Sequence, residues 1–125
     1  MTDIRPRISI QYHDRATIVT FNDGKILEET DIRAIQEAVM PIVEQADRIS
    51  LILDFGNVGF LSSAVLGLLI RISKKISENG GRLKLCNIGP KIYEVFKITR
   101  LTMTFDIHKD VECALEALTP EPADP

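Results

Sequence analysis

The chain has 125 residues, 45% hydrophobic and 26% charged, with a formal net charge of −3. That length and balance suit one soluble α/β-sized domain that needs neither disulfides nor a metal to hold its core, and the acidic balance argues against a nucleic-acid surface, which requires a basic stripe. Its two cysteines, Cys86 and Cys113, are too few and too far apart for a disulfide framework or a zinc site, and read as small hydrophobes in a reducing compartment.

Trp is absent and aromatics are few, so the core must be aliphatic. The start has no apolar stretch of signal-peptide length, and no segment reaches the length of a membrane span. The expectation is a cytoplasmic protein with no membrane insertion. The nearest approach to a basic cluster, Arg71, Lys74, Lys75, Arg82 and Lys84, reads as a solvated surface.

Ile8, Ile10 and Tyr12 alternate with Ser9, Gln11 and His13, the pattern of a half-buried strand. Asp14-Arg15 connects it to a second strand over 16–21, and the short spacing predicts an antiparallel hairpin. Asn22-Asp23-Gly24 breaks the extended run. Thr30 or Asp31 then caps a helix with Ile32, Ile35, Val39, Ile42, Val43 and Ala46 at helical spacing. Pro41 lies inside this pattern and predicts a kink or an irregular turn. Residues 49–55 form an almost unbroken apolar run, as in strands covered on both faces.

A helix follows over 64–78, with Val65, Leu66, Leu68, Leu69, Ile70, Ile72 and Ile76. Its first two turns are apolar nearly all round, which predicts deep burial. Asn79-Gly80-Gly81 supplies a left-handed cap, and 82–88 is a further strand. Gly89-Pro90 opens a helix with Pro at its first position and Ile92, Val95, Phe96 and Thr99 on one face. A short strand over 103–107 precedes a last helix opened by Lys109 or Asp110, with Val111, Ala114, Leu115 and Leu118 inward. Residues 119–125, with three prolines and two acids, read as a disordered tail. The order predicts one α/β domain over 1–118: a mixed sheet, antiparallel at its N-terminal edge and parallel elsewhere, with about four helices.

Chemistry concentrates at one junction. Leu51-Ile52-Leu53-Asp54-Phe55-Gly56-Asn57-Val58-Gly59-Phe60-Leu61-Ser62-Ser63-Ala64 takes an apolar strand through a Gly-containing loop to paired serines at a helix start. A hydroxyl there sits at the positive end of a helix, where a phosphate is well tolerated. Helix capping explains the same serines without any switch, since a Ser N-cap is worth about 1 kcal/mol over Ala. Asp54 either caps a neighbouring loop or presents a charge at the rim that carries Ser63. A Ser nucleophile would need a base within reach. His13 falls on the wet face of the first strand and His108 in the loop before the last helix, and the junction has no G-x-S-x-G elbow. No G-x-G-x-x-G or P-loop is present. The expectation is a protein that is not an enzyme and takes no cofactor or metal.

Three segments together resemble the STAS family, the domain of bacterial anti-sigma factor antagonists. The junction is similar to the family pattern D-x-x-x-V-x-F-[ILM]-D-S-[ST]-[AG]-[LIV]. Gly80-Gly81-Arg82-Leu83-Lys84-Leu85 is similar to its Gly-Gly turn into a strand. Pro90-Lys91-Ile92-Tyr93-Glu94-Val95-Phe96-Lys97-Ile98-Thr99-Arg100-Leu101 resembles its V-x-x-[LV]-[FL]-x-x-[ST]-x-[LV] helix. The resemblance implies partner switching: a serine kinase of the histidine-kinase-like ATPase class, itself the anti-sigma factor, phosphorylates the acceptor, and a PP2C-type phosphatase removes the phosphate. The matching acceptor is Ser63, with Ser62 as its neighbour. Partner contacts are implied at Gly24, Lys25, Asp54, Asn57, Ser62, Ser63 and Ala64. There are departures from the family: Ser62 replaces the acid before the acceptor, Ala64 replaces a hydroxyl, and Gly24-Lys25-Ile26-Leu27 lacks the acid of the first loop. The resemblance also admits an unphosphorylated interaction or scaffold subunit, for example of a lipid-transport ATP-binding-cassette system or a signalling complex. The exposed first strand, with Ile8, Ile10 and Tyr12, leaves a homodimer open, while its outward charges and Pro6 work against pairing.

Overall fold

The computed structural model describes residues 8–13, 16–22, 25–26, 29–45 and 48–118. Its elements are β1 (Ile8–Tyr12), β2 (Thr17–Phe21), β3 (Lys25–Ile26), α1 (Glu29–Gln45), β4 (Ser50–Asp54), β5 (Phe60–Leu61), α2 (Ser63–Glu78), β6 (Arg82–Cys86), α3 (Pro90–Ile98), β7 (Asp106–His108) and α4 (Val111–Ala117). Period-two alternation produces the antiparallel β1–β2 hairpin, with Ile8 opposite Phe21 and Tyr12 opposite Thr17. β4, β6 and β7 then join in parallel, giving the sheet order β1-β2-β4-β6-β7. This is the mixed sheet with four helices that the sequence predicts.

The strands carry residues to two different layers. Val19, Phe21, Leu51, Leu53 and Leu85 face Ile35, Val39 and Val43 of α1, Leu68, Leu69, Ile72 and Ile76 of α2, and Ile92 and Phe96 of α3. Ile18, Ile52 and Cys86 face the other way, under Ala114 and Leu118. Leu51, Ile52 and Leu53 are all fully buried, which is why β4 cannot alternate with polar residues. Burying each such side chain contributes about 2 kcal/mol.

The end of α2 is built as its sequence predicts. Gly80 takes φ +74°, the Gly81 amide donates to the Ile76 carbonyl (2.8 Å) and the Gly80 amide to that of Ser77 (3.1 Å). Gly81 is required for a second reason. A Cβ there would lie 2.3 Å from the Ile49 carbonyl oxygen. The last helix is capped by Asp110, whose Oδ1 accepts from the Cys113 amide at 2.8 Å.

Several expectations are corrected. β1 is not half-buried: the helical layer reaches Ile8 but leaves Ile10 and Tyr12 exposed. α1 begins at Glu29, so Thr30 and Asp31 lie inside its first turn, and it continues through Pro41. The start of α2 is not buried all round, because Ser63, Ala64 and Ile70 face outward. β6 ends at Cys86, where Asn87 turns to φ +56°. The run 103–107 is not one strand: a 3-10 turn over Leu101–Met103 packs Leu101 and Phe105 inward, and β7 starts only at Asp106. His108 therefore ends a strand instead of lying in a loop. Val95 and Thr99 of α3 are exposed, and so is Cys113, while Cys86 is the buried small hydrophobe expected. Asp14-Arg15, Asp23, Gly24, Leu27, Ala46 and the 119–125 tail lie outside the described residues.

Candidate functional site

The junction begins where β4 leaves the sheet. The Phe55 amide still bonds the Cys86 carbonyl (3.0 Å), extending the sheet by one residue. Phe55 and Val58 are buried, and the Phe55 ring lies 4.9 Å from that of Phe21. A turn bond from the Val58 amide to the Phe55 carbonyl (2.9 Å) closes the loop. Asp54 holds it from below: its Oδ1 accepts from the Gly56 amide and from Asn87 Nδ2, both at 2.9 Å. Asn57 Nδ2 donates to the Phe21 carbonyl at 3.4 Å, tying the loop to the end of β2. Of the two roles open to Asp54 in the sequence, the geometry supplies the loop cap.

Phe60 and Leu61 then form β5, which pairs in parallel with Lys25 and Ile26 of β3. Sequence reading missed this two-residue ribbon, because two residues carry no periodicity. The signal that could have found it is the apolar pair Phe60-Leu61 directly before the serines. The ribbon brings the backbone of Lys25 and Ile26 next to the strand that leads into the serine junction. Gly24 lies outside the described residues.

The two serines differ sharply. Ser62 holds the N-cap position with extended backbone (φ −84°, ψ 162°), yet its side chain makes no capping bond. Its Oγ is buried and has no hydrogen-bond partner among the described residues. The capping expectation therefore holds for Ser62 in position and fails in its bond. Ser63 is the first helical residue and is exposed, as is Ala64. The first turn of α2 contains no acidic residue, so nothing there competes for the positive helix end.

Beside the junction, β5 and α3 leave two adjoining hollows of about 110 and 330 Å³, lined by Val58, Gly59, Phe60, Leu61, Ile92 and Val95 together with Lys91. Phe60 is 53% exposed and Val95 42%, and Ile98 and Tyr93 of α3 are also exposed. Sequence reading placed Val95 inward. The exposed apolar positions of α3 were visible as more hydrophobes than one buried face needs.

Neither histidine is close to this site in the topology. His13 bonds Ala16 at the hairpin turn, at the opposite end of the sheet from the loop after β4. His108 pairs in register with Cys86 and so faces the α4 layer, not α2. Among the described residues no group of three His, Cys, Asp or Glu could hold a metal ion, and no helix is long and apolar enough to cross a membrane.

Comparison with known proteins agrees with this architecture. The anti-sigma-B factor antagonist of Bacillus subtilis is 30% identical over 73 residues, which is 58% of this chain and 65% of that protein. The structure of an anti-sigma factor antagonist (STAS) domain protein from Planctomyces limnophilus superposes with a TM-score of 0.81 at 24% identity, covering 90% of this chain and 97% of the other. Phosphorylated SpoIIAA of Bacillus, a cell fate determinant, superposes with a TM-score of 0.69 at 17% identity over 88% and 98% of the two chains. The STAS domain model matches residues 7–114, and with the strand order, the serine junction and the Gly-Gly turn in place, the chain belongs to the STAS domain family.

Proposed function

We propose that this chain is a partner-switching regulator of the anti-sigma factor antagonist type, controlled by reversible phosphorylation of Ser63. The observation that carries the reading is the exposed Ser63 hydroxyl at the first position of α2, on a helix whose next turn is buried and whose first turn has no acid. A phosphoserine carries about −1.5 to −2 charge near neutral pH. The free amides and the dipole of α2 receive that charge, so the fold need not move. Ser62 is a poorer acceptor because its Oγ is enclosed. The structural neighbour SpoIIAA has a phosphorylated form, which supports the same chemistry here.

The partner surface in this reading is the Ser63 rim with the apolar hollow between β5 and α3. Phe60, Leu61, Ile92 and Val95 supply contact area, and Lys91 lines its edge. Unphosphorylated protein binds the anti-sigma kinase there, and a phosphate expels it by repulsion and by the cost of desolvating the new charge. The kinase belongs to the histidine-kinase-like ATPase class and the phosphatase to the PP2C type. The chain itself acts by binding and not by catalysis, consistent with both histidines lying away from Ser63.

The test is the intact mass of the protein isolated from its own cells, with Ser63→Ala and Ser62→Ala alongside. The expected result is a fraction one phosphate heavier in the wild type and in Ser62→Ala, and absent in Ser63→Ala. A single unmodified mass under growth and stress conditions would overturn the switch and leave a constitutive interaction subunit. The heavier species persisting in Ser63→Ala would move the acceptor elsewhere.

A further inference from the structure

The sheet ends, among the described residues, at β1, and the hydrogen-bond parity of that edge can be read directly. His13 and Ala16 exchange both backbone bonds, at 2.8 and 3.3 Å. Bonded and non-bonded pairs alternate along an antiparallel ladder. In the observed register the non-bonded pairs are therefore Tyr12 with Thr17, Ile10 with Val19 and Ile8 with Phe21. Their amides and carbonyls on β1 point away from β2. Ile8, Ile10 and Tyr12 thus present a row of backbone donors and acceptors on the open side of the sheet.

The side chains of the same three residues share a face, because their cross-strand partners Phe21, Val19 and Thr17 do. Ile10 is 36% exposed and Tyr12 is 78% exposed. The other face carries Ser9 and Gln11. Within Ile-Ser-Ile-Gln-Tyr there is no charged residue and no proline; the devices that natural edges use against pairing, here Pro6, Arg7, Asp14 and Arg15, flank the five residues in sequence and do not interrupt them.

We infer that β1 pairs with β1 of a second copy of this chain, antiparallel about a two-fold axis at Ile10, to make a continuous sheet across the dimer. This register sets Ile10 opposite Ile10, Ile8 opposite Tyr12 and Ser9 opposite Gln11 of the second copy. It is self-complementary at every level. Each outward-facing residue meets another outward-facing residue, so each of those pairs exchanges both bonds. Tyr12 covers Ile8 on the apolar face, and Ser9 meets Gln11 on the polar one. A shift by one residue would set outward groups against inward ones and break the ladder. The partner we assign is a second copy, because the apolar and polar alternation of Ile8–Tyr12 reads the same in both directions about Ile10, so two copies match face to face. A contact this short buries less than the roughly 1,200 Å² of a standard interface, so the dimer belongs with weak, reversible associations.

Sedimentation equilibrium of the full chain from roughly 10 to 500 µM tests it. The expected result is a monomer–dimer equilibrium for the wild type. Ile10→Glu and Ile10→Lys should each raise the dissociation constant tenfold or more, because the axis sets each charge against itself. Mixing the two variants should restore the dimer, since Glu then faces Lys. Tyr12→Asp, at a far more exposed position, should weaken the dimer as well, and circular dichroism checks that every variant is folded. A wild type that stays monomeric throughout would overturn the inference. So would a dimer indifferent to Ile10→Glu, or paired variants that fail to reassociate, since only this register places residue 10 on the axis.

Discussion

Replacing Ser62 with Ala asks whether α2 is held by a serine cap. A Ser cap whose hydroxyl accepts from the first-turn amides is worth about 0.5 to 2 kcal/mol, and its loss to Ala is normally destabilising. Ser62 has the backbone of a cap but not the bond, and its Oγ is buried with no hydrogen-bond partner among the described residues. Truncation therefore removes no capping energy. It removes a desolvated hydroxyl, and an unpaired buried group of this kind costs about 1 to 3 kcal/mol. Part of that gain is offset by the contacts the oxygen makes. The expected change is between about 0 and 1 kcal/mol in favour of the folded state. Urea unfolding followed by far-UV circular dichroism measures it, with an unchanged slope confirming that the folded and unfolded states are otherwise the same. Ser63→Ala, at an exposed position, serves as the control and should stay within about 0.5 kcal/mol of the wild type. A loss of about 1 kcal/mol or more in Ser62→Ala would refute the reasoning, because it would mean that the hydroxyl caps the helix in solution.

Gly81→Ala should destabilise by about 3 kcal/mol or more, since its Cβ would meet the Ile49 carbonyl at 2.3 Å, whereas Gly67→Ala, inside α2 where an added Cβ would meet nothing within 4 Å beyond its chain neighbours and the backbone of its own helix, should stabilise by about 0.5 to 1 kcal/mol. Equal midpoints in urea for these two variants would contradict the geometry. A thiol reagent should label exposed Cys113 first, slowed by the bond to Asp110 that raises its thiol, and Cys86 only as the protein unfolds, because burial, assisted by the charges of Asp54 and Asp110, pushes the Cys86 thiol up to about 12. Two fast thiols in the native protein would rule that out. Burial raises the Asp106 carboxyl, but the bond and charge of Lys84, and then His108, more than offset it and hold it below its usual 3.8. A depressed carboxyl stabilises above its unfolded value and loses that contribution as pH falls through its folded value. Lys84→Met should therefore cost under about 1 kcal/mol near pH 7, since Asp106 is half-exposed, and progressively less as the pH falls below 3.8, as read by urea midpoints across that range.

What the sequence disclosed, and what it hid, follows from the range of each signal. β4 was legible because Leu51, Ile52 and Leu53 are buried on both faces and had to be apolar without interruption. The end of α2 was legible because Gly80 and Gly81 answer local constraints, a left-handed φ and a close backbone approach. The Asp110 cap was legible for the same reason. The β3–β5 ribbon was not, since Lys25-Ile26 and Phe60-Leu61 are too short to show a period and meet only in three dimensions. Helical spacing misplaced Val95: it predicts which residues share a face, but not whether a neighbour covers them, and here β5 stops short. At the site, the junction itself was evident from residue order. The division of labour within it was not, because the enclosed Oγ of Ser62 and the open hydroxyl of Ser63 differ by packing and not by residue type.

That division bears on how a switch at Ser63 must work. A charge that acted by melting α2 would have to destabilise the protein. The position of Ser63 gives the opposite sign: it is the first residue of a 16-residue helix with no acid in its first turn, and the residues just behind it, Val65, Leu66, Leu68 and Leu69, are buried in the core. A negative charge at such a site is favourable by about 0.3 to 1 kcal/mol. Ser63→Glu should therefore raise the urea midpoint while abolishing capture of the partner that the wild type retains. Both effects together would place such a switch on the surface, next in sequence to Phe60 and Leu61 of β5. A lowered midpoint would instead mean that the charge acts through the fold, and the rigid loop pinned by Asp54, Phe55 and Asn57 would no longer explain the mechanism.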